Sequence, residues 1–422
     1  MKTSIYLENR MVSIYDLLRS DEYLDRARLK KQSFTRNRKM NFYHTTCFLI
    51  KNTKTSLQIA LNEYIKEVKN EQETISKQAF SKQRQNIRPE AILELFDTFT
   101  HPIYDCNDIS LHKGFRISAI DGIVFELPNT PELQEHFGCC TNEGNRYARA
   151  QGSGLYDISN EIFIDVQFSH YLTSEKDLAY KHIDRLCKIG LKNDLLLFDR
   201  GYPSKELIAN LYEKNIHFVM RCSSSFIKQV NEVKVNDEVI EYKYNNKNYS
   251  VRVIKLLLPS GETETLVSDI FDESFSVQDF KELYAKRWGV ESRYDIIKNK
   301  LQIENYSGVT PIAILQDFYA TMFLSNVMAI AQITTDAKIK ERHKGKQLKY
   351  EHKTNVNILI GTIKDEVVRA LLEPSKRKRA KRFRNLLEQA SKYSVSIRPN
   401  RNFPHSVINQ SAKFYQNKRL PF

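Results

Sequence analysis

The sequence predicts an α/β protein with a mixed β-sheet at its centre, a helical region before the sheet and a basic helical region after it. Apolar runs at residues 115–127, 154–168 and 195–199 are short enough for strands and apolar enough for burial. Helical periodicity separates the later strands and dominates both ends of the chain. The chain has 422 residues, which is enough for roughly two or three domains with buried cores.

The order of elements between residues 110 and 222 specifies the type of sheet. Strand, hairpin, helix, strand, helix and strand follow one another at residues 115–127, 154–168, 174–188, 195–199, 204–214 and 217–221. Antiparallel strands followed by helix-linked parallel strands predict a mixed sheet of the ribonuclease H type. In that topology the first strand and the strand at 195–199 are neighbours. We therefore expect Asp121 and Asp199 to lie side by side.

The remaining regions complete the predicted organisation. Short alternating strands after residue 222, with a hairpin turn at Asn245-Asn246, predict a β-rich insertion in the core. The predicted parts are a helical domain, the first part of the ribonuclease H-like core, the β-rich insertion, the second part of the core and a helical basic C-terminal region, at residues 1–105, 110–222, 223–272, 273–335 and 336–422.

Two aspartates occupy positions where the predicted strands are buried. Asp121 follows an apolar run directly and precedes Gly122, and Asp199 ends a second apolar run just before the turn signals Gly201 and Pro203. A carboxylate in a buried strand costs free energy unless it is paired or bound to a metal ion. Both aspartates are therefore candidates for a functional site.

A third acid lies on a predicted helix at residues 280–301, which contain no proline. At about 100° per residue, Tyr284, Arg287, Glu291 and Lys298 fall within roughly a 60° arc, beside a stripe of apolar residues. One face would thus carry a carboxylate, two cations and a phenol. These groups suit a divalent metal next to a phosphodiester, although charges at helical spacing also form ordinary solvated faces.

Together these motifs resemble those of the DDE transposases of insertion sequences, in the branch named for its tyrosine-arginine-glutamate-lysine signature. That family has an aspartate-glycine on a first strand, an Asp-Arg-Gly-Tyr or Asp-Arg-Gly-Phe turn on a later strand, and a signature helix. The chain has Asp121-Gly122 and Asp199-Arg200-Gly201-Tyr202, and it keeps every signature spacing from Tyr284 to Lys298. The resemblance covers roughly residues 50–335.

The resemblance implies a DNA transposase that cleaves and joins phosphodiester bonds with divalent metal. Asp121, Asp199 and Glu291 are the expected catalytic residues and metal ligands, with Asp121 bridging two Mg²⁺ ions, for which Mn²⁺ can substitute. The expected substrates are double-stranded transposon ends, with their terminal inverted repeats, and target DNA. A homodimer is expected in the synaptic complex of two ends.

The charge of the chain favours a polyanionic partner. Lys and Arg outnumber Asp and Glu by 65 to 51, which gives a net charge of +14. Contacts to DNA are expected from the signature helix, from the outward face of a predicted helix-turn-helix unit and from the basic tail. The candidate side chains are Tyr284, Arg287, Lys298, Lys77, Lys82, Arg84, Lys376, Arg377 and Arg379. An ordinary helical bundle with a basic face and a disordered basic tail are the alternatives.

The cysteines and the lengths of the apolar runs limit the possible functions further. The six cysteines show no zinc-site spacing and are expected as reduced thiols of a cytoplasmic prokaryotic protein, associated with the nucleoid when it binds DNA. No apolar run reaches the roughly 18 residues of a membrane span, so no membrane is expected and the apolar stretch at 320–333 predicts a core helix. Trp288, the only tryptophan, is expected to be a core wedge.

Two other functions are compatible with the same motifs. One is a stand-alone metal-dependent DNA nuclease on the same fold, which would cut DNA without joining it. The other is a non-catalytic DNA-binding protein derived from a transposase. Glycoside hydrolysis by paired carboxylates fits neither the positive net charge nor the cation-rich helix. The β-rich insertion could be a platform for the transposon end or a purely structural extension.

Overall fold

The computed structural model describes residues 2–36, 38–69, 74–105, 109–142, 144–223, 226–258 and 261–398. Cys106 and residues 399–422 of the predicted C-terminal region lie outside the described residues. The α-helices are α1 (Lys2–Arg19), α2 (Asp21–Ala27), α3 (Phe42–Lys51), α4 (Leu57–Lys69), α5 (Lys77–Arg84), α6 (Pro89–Thr100), α7 (Pro131–Phe137), α8 (Glu175–Ile189), α9 (Lys205–Glu213), α10 (Lys228–Glu232), α11 (Val277–Ala285), α12 (Trp288–Asp295), α13 (Pro311–His343), α14 (Val356–Leu372) and α15 (Lys376–Lys392).

The strands are β1 (Arg116–Glu126), β2 (Cys139–Asn142), β3 (Asn145–Asp157), β4 (Ile162–His170), β5 (Asp194–Phe198), β6 (His217–Cys222), β7 (Asp237–Tyr244), β8 (Lys247–Leu257), β9 (Thr263–Ser268), β10 (His352–Thr354) and β11 (Ser394–Ser396). A short 3₁₀-helix (His101–Asp105) and a π-helix (Ile296–Lys300) complete the described elements. The fold is α/β, as the sequence predicts.

The chain divides into two compact units. The first contains Met1–Asp105, Phe125–Ala150 and Ile296–Phe422, and the second contains Cys106–Val124 and Gln151–Asp295. The units do not follow the predicted domain boundaries, because the strands β1 and β3 each contribute residues to both. The five-part division remains a prediction.

The first unit is organised around α13. Thr310 caps this helix with its side chain, Pro311 occupies the first turn, and Lys340 and Arg342 lie in its last turn, as helix termini favour. The predicted core helix is confirmed, and it continues to His343. By length and composition α13 could cross a membrane, yet most of its apolar window is buried inside the protein, as in a core helix.

The second unit contains the predicted sheet. Its strands follow the order β3-β1-β5-β6-β9-β8-β7, with β4 paired to β3, and β1, β5 and β6 are parallel neighbours. The segment β4-β3-β1-β5-β6 is the ribonuclease H-type order, which confirms the predicted topology. Strands β7, β8 and β9 of the predicted insertion extend the same sheet through antiparallel pairs. Asn245 and Asn246 have positive φ, as the hairpin turn between β7 and β8 requires.

A buried ion pair marks the register of β1 against β5. Arg116 lies opposite Asp194, and its guanidinium donates to the Asp194 carboxylate, with Nε 2.8 Å from Oδ1. Both side chains are almost completely buried. A shift of the register by one residue would turn the two side chains to opposite faces and leave two charges unpaired. The pair therefore stabilises one alignment of these strands.

The Arg116 ion pair leads to a prediction about stability. Replacing Arg116 by methionine leaves Asp194 buried without its cation, so we expect the free energy of unfolding to fall by about 3–5 kcal/mol. The double variant Arg116→Met/Asp194→Leu removes both charges and should recover most of that loss. Urea denaturation followed by circular dichroism measures both. An exposed pair, Lys214–Asp184, is the control, and its disruption should cost less than about 1 kcal/mol. A double variant as unstable as the single variant would contradict the assignment.

Candidate catalytic site

The two predicted aspartates lie at matching positions of paired strands. The β1–β5 register pairs Arg116 with Asp194 and Ala119 with Leu197. Two positions further along, the same register, if continued, would bring Asp121 level with Asp199, which directly follows the last residue of β5. Both aspartates are partly buried. The observed pairing ends at Ala119 and Leu197, and its continuation by two residues would place these two carboxylates close together, which stays a prediction.

Two side chains hold the backbone carbonyl of Asp121 in β1. Its carbonyl oxygen accepts hydrogen bonds from the Tyr294 hydroxyl at 2.9 Å and the Ser153 hydroxyl at 3.1 Å. Ser153 Oγ also lies 3.1 Å from His182 Nε2, and His182 Nδ1 lies 2.7 Å from Asp165 Oδ2. Against the effect of burial, hydrogen bonds from His182 and Gln167 hold the pKa of Asp165 below its usual value.

Ser153, His182 and Asp165 form a buried chain of hydrogen bonds beside Asp121. The Ser153 hydroxyl donates to the Asp121 carbonyl, and its oxygen faces His182 Nε2. His182 Nδ1 faces the Asp165 carboxylate. These three side chains therefore support the strand that carries Asp121.

The predicted continuous helix at 280–301 is wrong. The structure has α11, a tight turn at Lys286 and Arg287, then α12 and the π-helix Ile296–Lys300. The amides of Lys286 and Arg287 bond to carbonyls three residues back, which is a 3₁₀ pattern and rotates α12 relative to α11. A Cβ at Gly289 would lie 3.5 Å from Ile158, which is an ordinary packing distance.

Despite the break, the signature side chains of the second unit meet the aspartates. Arg287 Nη2 lies 2.8 Å from Glu291 Oε1, and Arg287 Nη1 lies 3.9 Å from Asp121 Oδ2. The Tyr284 hydroxyl lies 3.3 Å from Asp199 Oδ1. The structure therefore brings Asp121, Asp199, Tyr284, Arg287 and Glu291 to one place. Their catalytic and DNA-binding roles stay predictions.

A cation from the protein itself occupies this cluster of acids. The Arg287 side chain is only 2% exposed and lies between Glu291 and Asp121. Within the described ranges, no three acidic, histidine or cysteine side chains are close enough to one another to hold a metal ion. Glu291, whose side chain is 42% exposed, is instead paired with the guanidinium.

The electrostatics of the site are those of crowded, partly desolvated carboxylates. Burial raises the pKa of Asp121 to about 7; Arg287 opposes this shift, and the negative charges of Glu291 and Glu175 add to it. Burial and the charge of Asp199 raise the pKa of Glu175. The raised pKa values of Asp121 and Glu175 thus come first from burial and then from neighbouring negative charges.

Three residues near the aspartates were not singled out from the sequence as site residues. Glu175 follows the helix cap Ser174, and the positive end of α8 accounts for an acidic residue at this position. Tyr202 belongs to the quoted Asp-Arg-Gly-Tyr turn, and Tyr294 lies three residues after Glu291. The spacing of Tyr294 from Glu291, one helical turn, is the only sequence signal that could have identified it.

Trp288 contradicts its prediction. It was expected to fill the core, but it is 55% exposed. The Arg287 Cζ atom lies 4.9 Å from its ring centroid, which is within the range of a cation–π interaction. The tight turn at the start of α12 directs this side chain away from the core. An exposed aromatic ring therefore flanks the buried arginine.

Lys298 belongs to the first unit. It lies in the π-helix, with Nζ 3.1 Å from Glu304 Oε1. The same Glu304 oxygen accepts the Glu126 backbone N–H at 3.0 Å. Lys298 is partly exposed and its ammonium lies 5.5 Å from the Phe125 ring centroid. Its proposed contact with DNA remains a prediction.

The other candidate DNA contacts differ in exposure. Lys77, Lys82, Lys376 and Arg377 are exposed, as expected. Arg84 was expected to face outward, and this is wrong, because it is buried.

The Arg84 guanidinium donates to Gln316 at 2.7 Å, to Ser307 at 2.6 Å and to Asp317 at 2.9 Å. Arg379 is also buried, with Cζ 3.5 Å from the Tyr15 ring centroid. These internal partners give both arginines a structural role.

Comparison with known proteins identifies the family. Residues 112–327, about half of the chain, match the family model described as the transposase DDE domain. The chain belongs to the DDE transposase family. This confirms the resemblance to DDE transposases, whereas the tyrosine-arginine-glutamate-lysine branch remains a prediction.

Two proteins of Escherichia coli (strain K12) are similar to this DDE transposase. The transposase InsG for insertion sequence element IS4 is 21% identical over 280 residues, which span 62% of this chain and 61% of InsG. InsZ, a provisionally named transposase, is 29% identical over 112 residues, which span 25% of this chain and 36% of InsZ. The matches thus cover about three fifths of InsG and about a third of InsZ.

One solved structure similar to this DDE transposase is the piggyBac transposase synaptic complex with hairpin DNA, determined by cryo-electron microscopy. The two chains have a TM-score of 0.48 and are 11% identical. The alignment covers 89% of this chain and 85% of the piggyBac chain.

The packing around Tyr294 gives a prediction with a matched control. A Cβ at Gly154 would lie 2.6 Å from the buried Phe163 ring and 2.8 Å from the Tyr294 hydroxyl. We expect Gly154→Ala to lower the free energy of unfolding by about 1–3 kcal/mol through overpacking. Gly361→Ala is the control, because that helical Cβ meets nothing within 4 Å and should stabilise by about 0.5–1 kcal/mol. Thermal unfolding of both variants checks that stability falls for Gly154→Ala and rises for Gly361→Ala. An unchanged stability of Gly154→Ala would contradict the packing described for Gly154.

Proposed function

We propose that this chain is a DNA transposase that binds the terminal inverted repeats of its own element, cleaves phosphodiester bonds there with divalent metal, and transfers 3′ ends to target DNA. The observation that best supports this is the parallel pairing of β1 with β5, whose register, if continued by two residues, aligns Asp121 with Asp199. Glu291 lies at the same cluster, because Arg287 contacts both Glu291 and Asp121. In a member of the DDE transposase family, these are the expected three acids.

The three acids supply the donor atoms that magnesium prefers, but among the described residues no three acidic side chains are close enough to hold an ion, so the proposed binding requires the carboxylates to move together. Asp121, Asp199 and Glu291 offer carboxylate oxygens, which are the ligands that hard divalent cations prefer. The Arg287 guanidinium between Glu291 and Asp121 supports a site that attracts positive charge. When bound, a pair of Mg²⁺ ions, for which Mn²⁺ can substitute, would activate the attacking water or 3′-hydroxyl and stabilise the departing oxyanion.

The protein's own residues would position the carboxylates and the DNA. Tyr294 and Ser153 hold the Asp121 backbone, and Tyr284 donates toward Asp199. Arg287 must release Glu291 before that carboxylate can serve as a ligand. Once released, its planar guanidinium can bind two phosphate oxygens of the DNA backbone.

DNA contacts away from the acids complete the proposal. Trp288 has an exposed ring that can stack on a base. The exposed side chains of Lys77, Lys82, Lys376 and Arg377 can neutralise phosphates. Joining two transposon ends requires two sets of contacts, so the synaptic complex would be a homodimer. The proposed location is the prokaryotic cytoplasm, on the nucleoid when the protein binds DNA.

Removal of one carboxylate tests the catalytic assignment. We expect Asp121→Asn to bind end DNA like the wild type but to lose cleavage by at least about a thousandfold, because a metal ligand is removed while the shape is kept. Gel-shift and cleavage assays on an end fragment with Mg²⁺ measure both. Asp184→Asn, on the exposed face of α8, is the matched control and should cut normally. An Asp121→Asn variant that cuts at the wild-type rate would falsify the assignment.

Pre-cleaved ends separate the candidate functions. A transposase joins such ends to target DNA, whereas a stand-alone nuclease leaves them unjoined. A non-catalytic DNA-binding protein would bind the ends and neither cut nor join them. The joining assay needs only the wild-type chain, Mg²⁺ and a supercoiled target plasmid.

Salt dependence tests the basic residues at the start of α15. We expect Lys376→Ala/Arg377→Ala to flatten the slope of log affinity against log salt by up to about 2, roughly 0.9 for each phosphate that the variant no longer neutralises. Fluorescence anisotropy with end DNA between low and physiological salt measures the slope. Lys181→Ala/Lys188→Ala removes the same charge from the exposed face of α8. Equal slopes for the wild type and the α15 variant would mean that this helix start does not touch DNA.

A further inference from the structure

A cavity of about 540 Å³ lies in the first unit, where the starts of three helices meet. Leu57 opens α4, Lys77 opens α5, and Thr310 is the cap residue of α13. None of these helices has an acid in its first turn. No Asp or Glu is among the described residues that line the cavity. The cavity therefore combines the positive ends of three helices with the charge of Lys77.

The first turns of these helices also provide backbone donors. In α5, the Ala79 amide donates to Ser76 Oγ at 3.2 Å, and the first amide of the helix donates to Gln58 Oε1 at 2.8 Å. In α13, the Ala313 amide donates to Thr310 Oγ1 at 3.4 Å. Such caps satisfy only part of the first N–H groups of a helix. Each helix start thus keeps donors of the kind that bind phosphate.

Tyr306 supplies a second, independent observation. It lines the same cavity, it is only 2% exposed, and its hydroxyl has no hydrogen-bond partner among the described residues. Burial holds the pKa of Tyr306 well above its ordinary value, so the hydroxyl keeps its proton and can donate. A buried donor without a partner is unfavourable. An acceptor that enters the cavity would remove that cost.

The acids near Tyr306 are already paired with cations. Glu304 and Asp317 are the charged groups that, after burial, add to the raised pKa of Tyr306. Asp317 Oδ1 lies 2.9 Å from the buried Arg84 guanidinium, and Glu304 Oε1 lies 3.1 Å from Lys298 Nζ. These pairs leave the exposed Lys77 and the helix starts as the positive groups of the cavity. The ligand that fits them is an anion.

We propose that this cavity binds one backbone unit of double-stranded DNA, a phosphate with its deoxyribose. The phosphate would lie at the helix starts, where Lys77 and the Tyr306 hydroxyl can bind its oxygens. The deoxyribose would pack on the apolar side chains of Leu57 and Val309, which line the same cavity. The inference rests on the proposed function and deepens it, because it names where the first unit holds the DNA backbone.

The affinity of the full chain for two duplexes tests the inference. The probes are a fluorescent end fragment of the element and an unrelated duplex of equal length, because a backbone contact does not depend on sequence. Gln78 is exposed, lines the cavity and occupies the second position of α5. We expect Gln78→Glu to weaken the binding of both duplexes by about fivefold or more, because its charge repels the phosphate.

The same variant separates binding from stability. A negative charge at the start of a helix is favourable, so the thermal stability of Gln78→Glu should not fall. Gln229→Glu is the matched control, because it adds the same charge at the second position of α10. This control should bind both duplexes like the wild type.

Tyr306→Phe tests the buried hydroxyl. We expect this variant to bind both duplexes about threefold more weakly or worse, because a hydrogen bond to a charged group is lost. Its thermal stability should stay equal or rise, since the unpaired donor is removed. A hydroxyl with a purely structural role would give the reverse result, lower stability at unchanged affinity.

Each other outcome overturns the inference in a defined way. If Gln78→Glu binds both duplexes like the wild type, the cavity does not hold the DNA backbone. Equal losses for Gln78→Glu and Gln229→Glu would assign the effect to net charge and would contradict a local contact. A loss confined to the end fragment would mean that the cavity reads sequence and not the backbone. A wild-type chain that binds neither duplex would contradict the proposed function as well.

Discussion

The parallel pairing of β1 with β5 is the constraint on which the candidate site depends. The buried pair of Arg116 and Asp194 stabilises one register of these strands. Five positions later on each strand, that register, if continued, would bring Asp121 and Asp199 to the same level. Because successive strand residues point to opposite faces, a slip by one residue would separate the carboxylates and unpair the buried charges. Fold stability and the geometry of the acids therefore have a common origin.

The second organising feature is the balance of charge around Arg287. Glu291, Asp121 and Asp199 place more negative charge at this point than one guanidinium neutralises, and the pKa of Asp121, which is also partly buried, is raised to about 7. Arg287 holds Glu291 at 2.8 Å. In the proposed function, Asp121, Asp199 and Glu291 would hold the divalent metal, and Arg287 would then be available to a phosphate of the DNA. Arg287 would thus pair with Glu291 before DNA binding and with a phosphate during it.

Much of the fold is predictable from local sequence, because strand and helix signals here agree with the tertiary structure. The strand ending at Asp199 and the helix capped by Ser174 follow from apolar runs and cap residues. The break at Lys286 and Arg287 does not, because helix formers surround it and the 3₁₀ hydrogen bonds that mark it are observed only in the structure. Arg84 is buried although it was expected to be exposed, and Trp288 is exposed although it was expected to be buried. Both predictions failed because burial depends on tertiary neighbours that lie far away in sequence.

The central claim, that Asp121, Asp199 and Glu291 surround one cation-binding position, is tested most directly by iron-mediated cleavage of the protein backbone. Fe²⁺ that replaces Mg²⁺ generates hydroxyl radicals in the presence of ascorbate and peroxide, and these cut the chain near the bound ion. The account predicts cuts near residues 121, 199 and 291 in the same sample, all suppressed by excess Mg²⁺. Cuts at only one of the three segments, or cuts that Mg²⁺ does not suppress, would contradict it.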